Sequence, residues 1–337
     1  MSDLSVALLN YNGKHHLETY LPSVVKFSAP YEIILIDNGS TDGSLHYVRE
    51  NYPFIKVIAY DQNYGFCGGY NKALKTIESD YVVLLNTDVR VTENWIEPVF
   101  NYLKENPQIK AAQPKILDDK NPELFEYAGG AGGYLDVLAY PFCRGRIFES
   151  IEKDYGQYDD NRLVSWASGS CLFIHTQTFN KLGGLDERFF AHMEEIDLCW
   201  RIWNTGYQVA YCGESKVFHL GGGTLNKSQP RKTYLNFRNG LSIILKNESH
   251  TNLIWKLPLR ILLDWLAVLK FSVQSGPSHG WAIIRAHWSF STHLAGNLKL
   301  RTNKKTNTRV YYQKLLVWQY FALARSKFSD LPGSKIN

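Results

Sequence analysis

Short apolar runs alternate with longer amphipathic stretches through roughly the first hundred residues of the chain. The apolar runs are rich in β-branched residues and bounded by turn formers, which predicts strands at residues 6–9, 33–36, 54–58 and 81–85. The stretches between them show helical spacing of apolar residues, which predicts helices at residues 17–26, 43–50, 69–77 and 95–104. Alternating strands and helices are typical of an α/β fold in which helices flank a mainly parallel sheet.

A polar segment follows each of these predicted strands. Ligands of parallel α/β sheets bind where the carboxyl ends of the strands meet, so these segments are candidates for a binding site. They contain Asn10, Asn12, Asp37, Asn63, Gly65, Asn86, Thr87 and Asp88. Asp37 can accept a hydrogen bond from a nucleobase N–H, or it can belong only to the Asn-Gly turn that follows it. The chain has neither the GxGxxG fingerprint of dinucleotide-binding folds nor a P-loop motif.

The pattern is less regular beyond residue 110. Residues 111–162 are rich in glycine and aromatic residues and match neither a strand nor a helix pattern. Further along, a strand is predicted at residues 166–175, and a helix at residues 194–204 ends before Gly206. A last strand is predicted to start at residues 207–211 and to end near His219.

A helix with two distinct faces is predicted at residues 256–274. Pro258 lies near the predicted helix start. Polar or small residues recur three or four positions apart among large apolar residues, at Lys256, Arg260, Asp264, Ala267 and Lys270. Because Arg260 and Asp264 interrupt it, the stretch lacks the roughly 18 uninterrupted apolar residues of a membrane span. Two interpretations stay open: the helix lies in a membrane interface, or it packs on the domain.

Charge is distributed unevenly along the chain. Residues 1–224 contain 19 Lys and Arg against 29 Asp and Glu, whereas residues 225–337 contain 18 against 3. The basic C-terminal part indicates either an anionic partner, such as membrane lipid, a diphosphate carrier or nucleic acid, or a solvated basic face. The five cysteines show no CxxC spacing, and the chain starts directly with a strand pattern. We therefore expect reduced thiols, no secretory signal and a cytoplasmic location.

Asp88 and His219 are the candidate metal ligands. Asp88 follows an apolar strand, where a carboxylate can hold Mg²⁺ or Mn²⁺ against a diphosphate. A turn aspartate that caps the next helix would show the same sequence pattern. His219 ends a predicted strand before Gly221, Gly222 and Gly223, so it can bind the same metal or have a structural role. The glycine run suggests a close approach of the backbone to a ligand such as phosphate.

The acids at the start of the predicted helix 194–204 are candidates for proton transfer. Glu194 and Glu195 are adjacent and follow His192 closely, and a carboxylate in such a cluster can have the raised pKa of a general base. Alternatively, Glu194, Glu195 and Asp197 only complement the positive end of the helix dipole. Asp197 can also pair with Arg201, four residues further along the helix.

In this order, the motifs resemble those of the family 2 glycosyltransferases with a GT-A fold, in particular a bacterial rhamnosyltransferase-like branch. The resemblance covers about residues 5–239. The matching segments are residues 6–12, 37–44, 63–71, 85–88, 183–190 and 194–198 with Arg201, followed by His219. The resemblance implies a GT-A nucleotide-sugar glycosyltransferase domain at residues 1–240, and a helical, basic, amphipathic region at residues 241–337.

The resemblance also implies roles for individual residues. The implied nucleotide-binding residues are Asn10, Asn12, Asp37, Asn63, Gly65, Asn71, Asn86, Thr87 and Arg238. Asp88 corresponds to the last acid of the family's Asp-X-Asp metal motif, with Asn86 in the first position, and His219 is the second implied metal ligand. Glu194 and Glu195 correspond to the Glu-Asp motif that provides the catalytic base, and Glu195 is the favoured one.

The implied reaction is a single displacement that inverts the anomeric carbon. An acceptor hydroxyl attacks as the nucleoside diphosphate leaves, a base takes the hydroxyl proton, and Mg²⁺ or Mn²⁺ offsets the charge on the diphosphate. The branch implies a donor such as dTDP-rhamnose or a UDP-sugar, and a glycan or lipid-linked saccharide acceptor in cell-surface polysaccharide synthesis. The basic C-terminal region implies a further partner, an anionic surface at the inner face of the plasma membrane. Nucleic acid is not expected as a partner.

Two other functions compete with this one. A sugar nucleotidyltransferase would need a glycine-rich triphosphate loop with Arg or Lys after the first strand, and residues 10–14 match that poorly. A non-catalytic carbohydrate- or membrane-binding protein on a transferase scaffold would be indicated by loss of Asp88 or of the Glu194–Glu195 pair, and all three residues are present.

Overall fold

The computed structural model describes residues 3–221, 229–301 and 310–333. The strands are β1 (Leu4–Asn10), β2 (Glu32–Asp37), β3 (Lys56–Ala59), β4 (Tyr81–Asn86), β5 (Val89–Val91), β6 (Ile109–Asp118), β7 (Gly133–Leu135), β8 (Pro141–Cys143), β9 (Arg146–Ile147), β10 (Ser150–Ile151), β11 (Arg162–Leu163), β12 (Cys171–His175) and β13 (Gln208–His219). The helices are α1 (Lys14–Phe27), α2 (Ser44–Asn51), α3 (Gly65–Ala73), α4 (Glu97–Glu105), α5 (Thr176–Lys181), α6 (Glu194–Asn204), α7 (Pro230–Asn247), α8 (His250–Gln274), α9 (Pro277–Thr292), α10 (Leu294–Lys299) and α11 (Leu316–Phe321).

The large sheet has the strand order β11-β13-β6-β12-β4-β1-β2-β3, with β5 paired to β13. Strands β4, β1, β2 and β3 are parallel, β12 is antiparallel to both its neighbours, and β13 is parallel to β6. The predicted α/β class with a mainly parallel sheet is confirmed. Asn10 pairs in register with Asp37, and Leu9 pairs with Asn86, so the polar segments after these strands meet at one edge.

Apolar side chains cover both faces of this sheet because they alternate along each strand. Val6 and Leu8 of β1 belong to one buried cluster with Leu17 of α1. Ala7 points to the opposite face and belongs to a second cluster with Tyr70 of α3. A parallel sheet buried on both faces is the expected consequence of helical crossovers.

Residues 133–151 form a second, antiparallel sheet with the strand order β10-β9-β8-β7, which the sequence patterns do not predict. The indole of Trp166 packs where a Cβ at Gly133 would stand, so only glycine fits there. Nε1 of Trp166 donates to the carbonyl oxygen of Tyr134 at 3.0 Å. The predicted strand 166–175 is therefore wrong in its first half: Trp166 packs on the small sheet, and the regular strand begins at Cys171.

Two other predicted elements can be compared in detail. Helix α6 has the predicted bounds, and its predicted pair between Asp197 and Arg201 is present, with Oδ2 and Nε 2.8 Å apart. Helix α3 begins at Gly65, four residues before the predicted start, because Oδ1 of Asn63 accepts the Gly65 N–H at 2.7 Å and closes a turn there. Of the predicted phosphate-binding glycines, Gly222 and Gly223 lie outside the described residues.

The C-terminal helices pack closely on the large sheet's domain. Helix α7 runs through residue 240, and Nζ of Lys246 lies 2.9 Å from Oδ1 of Asp197 in α6. Further along, Tyr312 and Phe328 are buried in the same apolar cluster as Tyr134 of β7. The division into domains at residues 240 and 241 stays a prediction.

Helix α8 is longer than predicted and has an unexpected orientation. It begins at His250, and Pro258 lies inside it rather than near its start. Lys256, Arg260 and Asp264 are all buried, so the helix packs on the protein through its charged face. Among the described residues, no helix is long and apolar enough to span a membrane.

Candidate active site

Asn10 and Asp37 form the first part of the site at the ends of β1 and β2. Nδ2 of Asn10 lies 3.3 Å from Oδ1 of Asp37, and it also donates to the hydroxyls of Ser40 at 3.1 Å and Ser44 at 2.8 Å. Oδ2 of Asp37 accepts the Ser40 N–H at 3.2 Å. The structure brings these two predicted residues together in the turn after β2, and their contact with a nucleobase stays a prediction.

The neighbouring loops are held by amide side chains. Oδ1 of Asn12 accepts the Thr41 N–H at 2.8 Å, so the loop after β1 is tied to the turn after β2. Asn38, which the sequence analysis missed, donates to Oδ1 of Asn63 at 2.9 Å and to the Gly65 carbonyl oxygen at 3.0 Å. The turn residue Asn38 thereby joins the loops after β2 and β3.

Asn71 and Arg238 both contact the segment 185–189. The amide of Asn71 donates to the Leu185 carbonyl oxygen at 2.8 Å and accepts the Leu185 N–H at 2.8 Å. Nη2 of Arg238 donates to the carbonyl oxygens of Arg188 at 3.0 Å and Phe189 at 2.9 Å. Both side chains support this segment, and their predicted contacts with the nucleotide stay predictions.

Asp88 and His219, the predicted metal ligands, meet at the edge of the sheet. Their closest atoms are Oδ1 of Asp88 and Nε2 of His219, 3.2 Å apart, and both side chains are buried. The register of β13 against β5 explains the meeting, since His219 pairs with Val89. Asn86 is the last residue of β4, and Thr87 lies between it and Asp88.

Glu126 extends this pair into a row of three titratable side chains. Its Oε1 lies 3.5 Å from Nδ1 of His219, and its Oε2 accepts the Ala128 N–H at 2.6 Å. Burial lowers the pKa of His219, but the hydrogen bonds and charges of Asp88 and Glu126 outweigh it and raise that pKa to about 10. Burial raises the pKa of both carboxyls, but the bond from His219 and further partners bring each below its usual value. A protonated imidazole therefore lies between two carboxylates.

Asp88 and His219 fit a divalent cation. A carboxylate oxygen and an imidazole nitrogen suit Mn²⁺, and Mg²⁺ prefers oxygen ligands. The 3.2 Å separation lets one ion contact both, once His219 has lost its proton. Glu126 stands at Nδ1, where a carboxylate orients a metal-binding imidazole. Within the described ranges, no group of three or more His, Cys, Asp or Glu residues could hold a metal ion.

Glu194 and Glu195 occupy the first turn of α6. Burial, followed by the charge of Glu195, raises the pKa of Glu194 well above its usual value. Burial raises the pKa of Glu195 to about 7. Neither Oε2 atom has a hydrogen-bond partner in the described part of the chain. Near neutral pH the pair therefore holds a proton, and each glutamate has a buried oxygen without a partner from the described chain.

The loop before α6 is strained and clamped from α7. Phe190 and His192 have φ values of 66° and 67°, a region that costs side-chain-bearing residues roughly 1–3 kcal/mol each. Nδ2 of Asn239 lies within hydrogen-bond distance of three carbonyl oxygens of this loop, those of Phe189, Ala191 and His192, at 3.2, 3.0 and 2.8 Å. Asn239, which was not among the predicted site residues, therefore fixes the loop that positions the carboxylate pair.

The carboxylate pair lies next to the end of β4. A Cβ at Gly169 would be 3.6 Å from Cβ of Glu195, so the two residues pack against each other. The next residue, Ser170, accepts the Asn86 N–H at its carbonyl oxygen at 2.9 Å. Because only Thr87 separates Asn86 from Asp88, the predicted base and the predicted metal ligands lie in the same region.

The sequence is similar to known glycosyltransferases. The sequence model described as Glycosyl transferase family 2 matches residues 5–158. The N-acetylglucosaminyl-diphospho-decaprenol L-rhamnosyltransferase of Mycobacterium tuberculosis is 25% identical over 272 residues, which are 76% of this chain and 88% of the relative.

Solved glycosyltransferase structures share the fold. The S. aureus TarS 1–349 structure in complex with UDP-GlcNAc superposes with a TM-score of 0.58 at 15% identity, covering 89% of this chain and 84% of that chain. The structure of GalNAc-T7 with UDP, GalNAc and Mn²⁺ gives a TM-score of 0.56 at 17% identity, covering 87% and 58%. The predicted GT-A fold is confirmed, and the predicted resemblance to the family 2 glycosyltransferases and their rhamnosyltransferase-like branch is supported by the matching model and the relatives.

Proposed function

We propose that this glycosyltransferase moves a sugar from a nucleoside diphosphate onto an acceptor hydroxyl, with inversion at the anomeric carbon and with Mg²⁺ or Mn²⁺. The proposal rests on two groups of side chains that the structure brings together at one edge of the sheet. A buried Asp88–His219–Glu126 row lies there near the Glu194–Glu195 pair, and the buried Oε2 atom of each glutamate lacks a hydrogen-bond partner in the described chain. An inverting transfer needs a site of each kind, one for the leaving diphosphate and one for the acceptor proton.

Asp88 and His219 are the residues that would hold the cation. When bound, the ion offsets the negative charge that develops on the leaving diphosphate. Glu126 keeps the imidazole of His219 oriented, and the turns that Asn10 and Asn38 brace provide the adjoining walls. UDP-GlcNAc in TarS and UDP with Mn²⁺ in GalNAc-T7 support a nucleotide and metal at this edge of the fold.

Glu195 is the proposed base. Its pKa of about 7 lets it accept a proton near neutral pH. Burial and the charge of Glu195 raise the pKa of Glu194 well above its usual value. The acceptor oxygen bonds to the anomeric carbon as the bond from that carbon to the diphosphate oxygen breaks. The acceptor proton moves to a carboxylate oxygen of Glu195. Attack opposite to the leaving group inverts the anomeric carbon, and no covalent sugar–enzyme intermediate forms.

The substrates are proposed from the relatives. The M. tuberculosis relative is named for rhamnosyl transfer to a diphospho-decaprenol saccharide, which supports a dTDP-rhamnose-type donor and a lipid-linked saccharide or glycan as acceptor. The UDP-GlcNAc complex of TarS supports a UDP-sugar as the alternative donor. A cytoplasmic location at the inner face of the membrane agrees with both proposals.

Glu195→Gln tests the assignment of the base. Nucleotide release from dTDP-rhamnose and from UDP-sugars, measured with saccharide acceptors, is expected to fall about 10²–10⁴-fold, because the amide cannot take the acceptor proton. Nucleotide binding should stay close to that of the wild type. Glu93→Gln, at an exposed glutamate outside the site, is the matched control and should keep full activity.

Two further readouts belong to the same experiment. The wild-type rate should rise as the pH increases through about 7 and then level off, since Glu195 acts only in its deprotonated form. Proton NMR of the product should show the anomeric configuration opposite to that of the donor. Full activity of Glu195→Gln, or a product with retained configuration, would contradict the proposal.

A further inference from the structure

Helix α8 packs on the protein through its charged side chains. Nζ of Lys256 lies 2.7 Å from Oε2 of Glu248, and Nε of Arg260 lies 3.0 Å from Oδ1 of Asp264. Oδ2 of Asp264 also lies 3.3 Å from Nε2 of His287 in α9. Lys256, Arg260 and Asp264 are therefore all paired on the inner side of α8. Several of its large apolar side chains are exposed instead.

The outward face of α8 is continuous and apolar. The aliphatic side chains on it are Ile254, Leu259, Leu262, Leu266, Leu269 and Val273. Val273 is 87% exposed, Ile254 78% and Leu269 69%. Large contiguous apolar patches are rare on soluble monomers and mark surfaces that a partner covers. Because its charged side is buried and its apolar side is exposed, α8 is expected to contact a partner through its apolar side.

Helices α8 and α9 both have an exposed face. Both pack on α7, since Leu257 of α8 and Phe290 of α9 meet Leu241 of α7 in one apolar cluster. In α9, Trp281 and Trp288 are seven residues apart, so they share one helix face, and both are exposed. The exposed apolar residues of α8 and α9 are together called the C-terminal apolar face below.

Tryptophan is divided sharply between this region and the rest of the chain. The four tryptophans before α7 are at most 3% exposed: Trp95, Trp166, Trp200 and Trp203. The five in the C-terminal helices are at least 44% exposed: Trp255, Trp265, Trp281, Trp288 and Trp318. Indole rings favour the boundary between lipid acyl chains and headgroups, because one edge is polar and the ring is apolar. The distribution matches a surface that lies in a membrane interface.

The charge of the C-terminal region indicates whether a membrane or a second copy of the chain covers the C-terminal apolar face. Residues 249–337 contain 13 Lys and Arg but only two acids, Asp264 and Asp330. Asp264 is buried, whereas Arg285 on α9 and Lys299 after it are exposed. Anionic lipid headgroups attract such a region, whereas the same face of another copy would repel it.

We propose that the C-terminal apolar face docks the enzyme on an anionic bilayer, with the outer side chains of α8 and the tryptophans of α9 inserted at the acyl–headgroup boundary. Apolar burial provides most of the binding, and the surrounding cations add attraction to acidic lipids. This proposal does not depend on the proposed sugar transfer. The two are linked in space, because Lys232 at the start of α7 lies 5.7 Å from the ring of Tyr127, the residue after Glu126. A lipid-linked acceptor in the same bilayer would therefore approach the site.

Vesicle sedimentation tests the docking. The full chain is mixed with vesicles of phosphatidylcholine alone, and with vesicles of equimolar phosphatidylcholine and phosphatidylglycerol. We expect the wild type to pellet with the mixed vesicles and more weakly with phosphatidylcholine alone. The double variant Leu266→Glu/Leu269→Glu should bind the mixed vesicles at least about 100-fold more weakly, because charges replace two inserted leucines. The matched control Phe54→Glu/Tyr155→Glu changes two residues that are equally exposed on the body, and it should pellet like the wild type.

Fluorescence and self-association complete the test. Mixed vesicles should shift tryptophan emission to shorter wavelength, and brominated lipids should quench it in the wild type and the control but not in the double variant. Circular dichroism and nucleotide binding should be equal in all three proteins, so a failure of docking is separable from a failure of the donor site. The proposal is overturned if the wild type stays in solution with the mixed vesicles, or if the double variant pellets equally. It is also overturned if, without lipid, the wild type forms a stable dimer and the double variant is a monomer.

Discussion

The ends of the parallel strands and the surface of helix α8 place polar residues in opposite ways. In the sheet, apolar residues such as Leu8 form the core, and polar residues such as Asn10 and Asp88, which are also buried, stand at the strand ends. In α8, Arg260 and Asp264 are buried and Leu269 is exposed. The first arrangement is that of a site made for a small polar ligand. The second is that of a surface made for a non-aqueous partner.

The difference shows what an amphipathic pattern does and does not establish. Spacing along α8 separates a charged face from an apolar face, but both faces are equally compatible with an inward orientation. The choice is made by partners distant in sequence: Glu248, Tyr140 and His287 meet Lys256 or Asp264 only in the folded chain. Strand ends carry no such ambiguity, because parallel strands always bring their carboxyl ends to one edge.

The largest effect is expected from Asp264→Asn, which tests whether the inner charges of α8 hold the helix in place. The change leaves the buried guanidinium of Arg260 without its carboxylate, and breaking a buried pair in this way costs about 3–5 kcal/mol. The measurement is urea unfolding followed by circular dichroism. Glu18→Gln removes one member of an exposed pair with Lys14 and should change the free energy of unfolding by less than about 1 kcal/mol. Equal effects of the two changes would mean that α8 is not anchored by its charges.

An intermediate effect is expected from Asn239→Ala, which removes the clamp on the loop before α6. The loop can then relax, so we expect the turnover number to fall roughly 10–100-fold while the nucleotide dissociation constant stays close to that of the wild type. Looser packing should also hydrate Glu195 and move the pKa in the pH–rate profile down from about 7 toward the usual value. Asn51→Ala, at an exposed residue of α2, is the control. An unchanged turnover number and pH profile would remove Asn239 from the positioning of the base.

The smallest effect is expected from Leu269→Glu on stability in the absence of lipid. Because Leu269 is already exposed, the free energy of unfolding should change by no more than about 0.5 kcal/mol. Leu8→Ala, in the buried sheet, should cost about 2–5 kcal/mol for the same class of residue. Urea unfolding of both variants checks this contrast. A loss of several kcal/mol in Leu269→Glu would show that the face is covered by the chain itself in solution.

Much of the fold could be predicted because its signals are local. The runs that form β1, β2 and β4 and the bounds of α6 follow from apolar spacing, turn residues and a helix-ending glycine. The meeting of Asn10 with Asp37, and the position of Asp88, follow from the strand-end rule. These features need no knowledge of distant contacts.

The remainder depends on distant contacts that spacing does not record. The small sheet β7–β10 lies in a glycine- and aromatic-rich segment, where Gly133 matters only because Trp166 packs over it. Glu126 lies in that segment too, and its role appears only when His219 comes within 3.5 Å of it. In the sequence, Glu126 is visible only as an acid shortly before two glycines, and an ordinary turn shows the same pattern. Asn239 lies inside a helix and is recognisable only by the loop carbonyls that it binds.

The most direct test of the central claim is calorimetric binding of UDP, dTDP and GDP, with and without Mn²⁺. The account predicts that one of these nucleotides binds in a Mn²⁺-dependent way to the wild type and that Asp88→Ala abolishes this binding. Asp80→Ala, at the exposed opposite end of β4, should bind like the wild type. No binding of any nucleotide under any condition would contradict the account and leave a non-catalytic protein on a transferase scaffold.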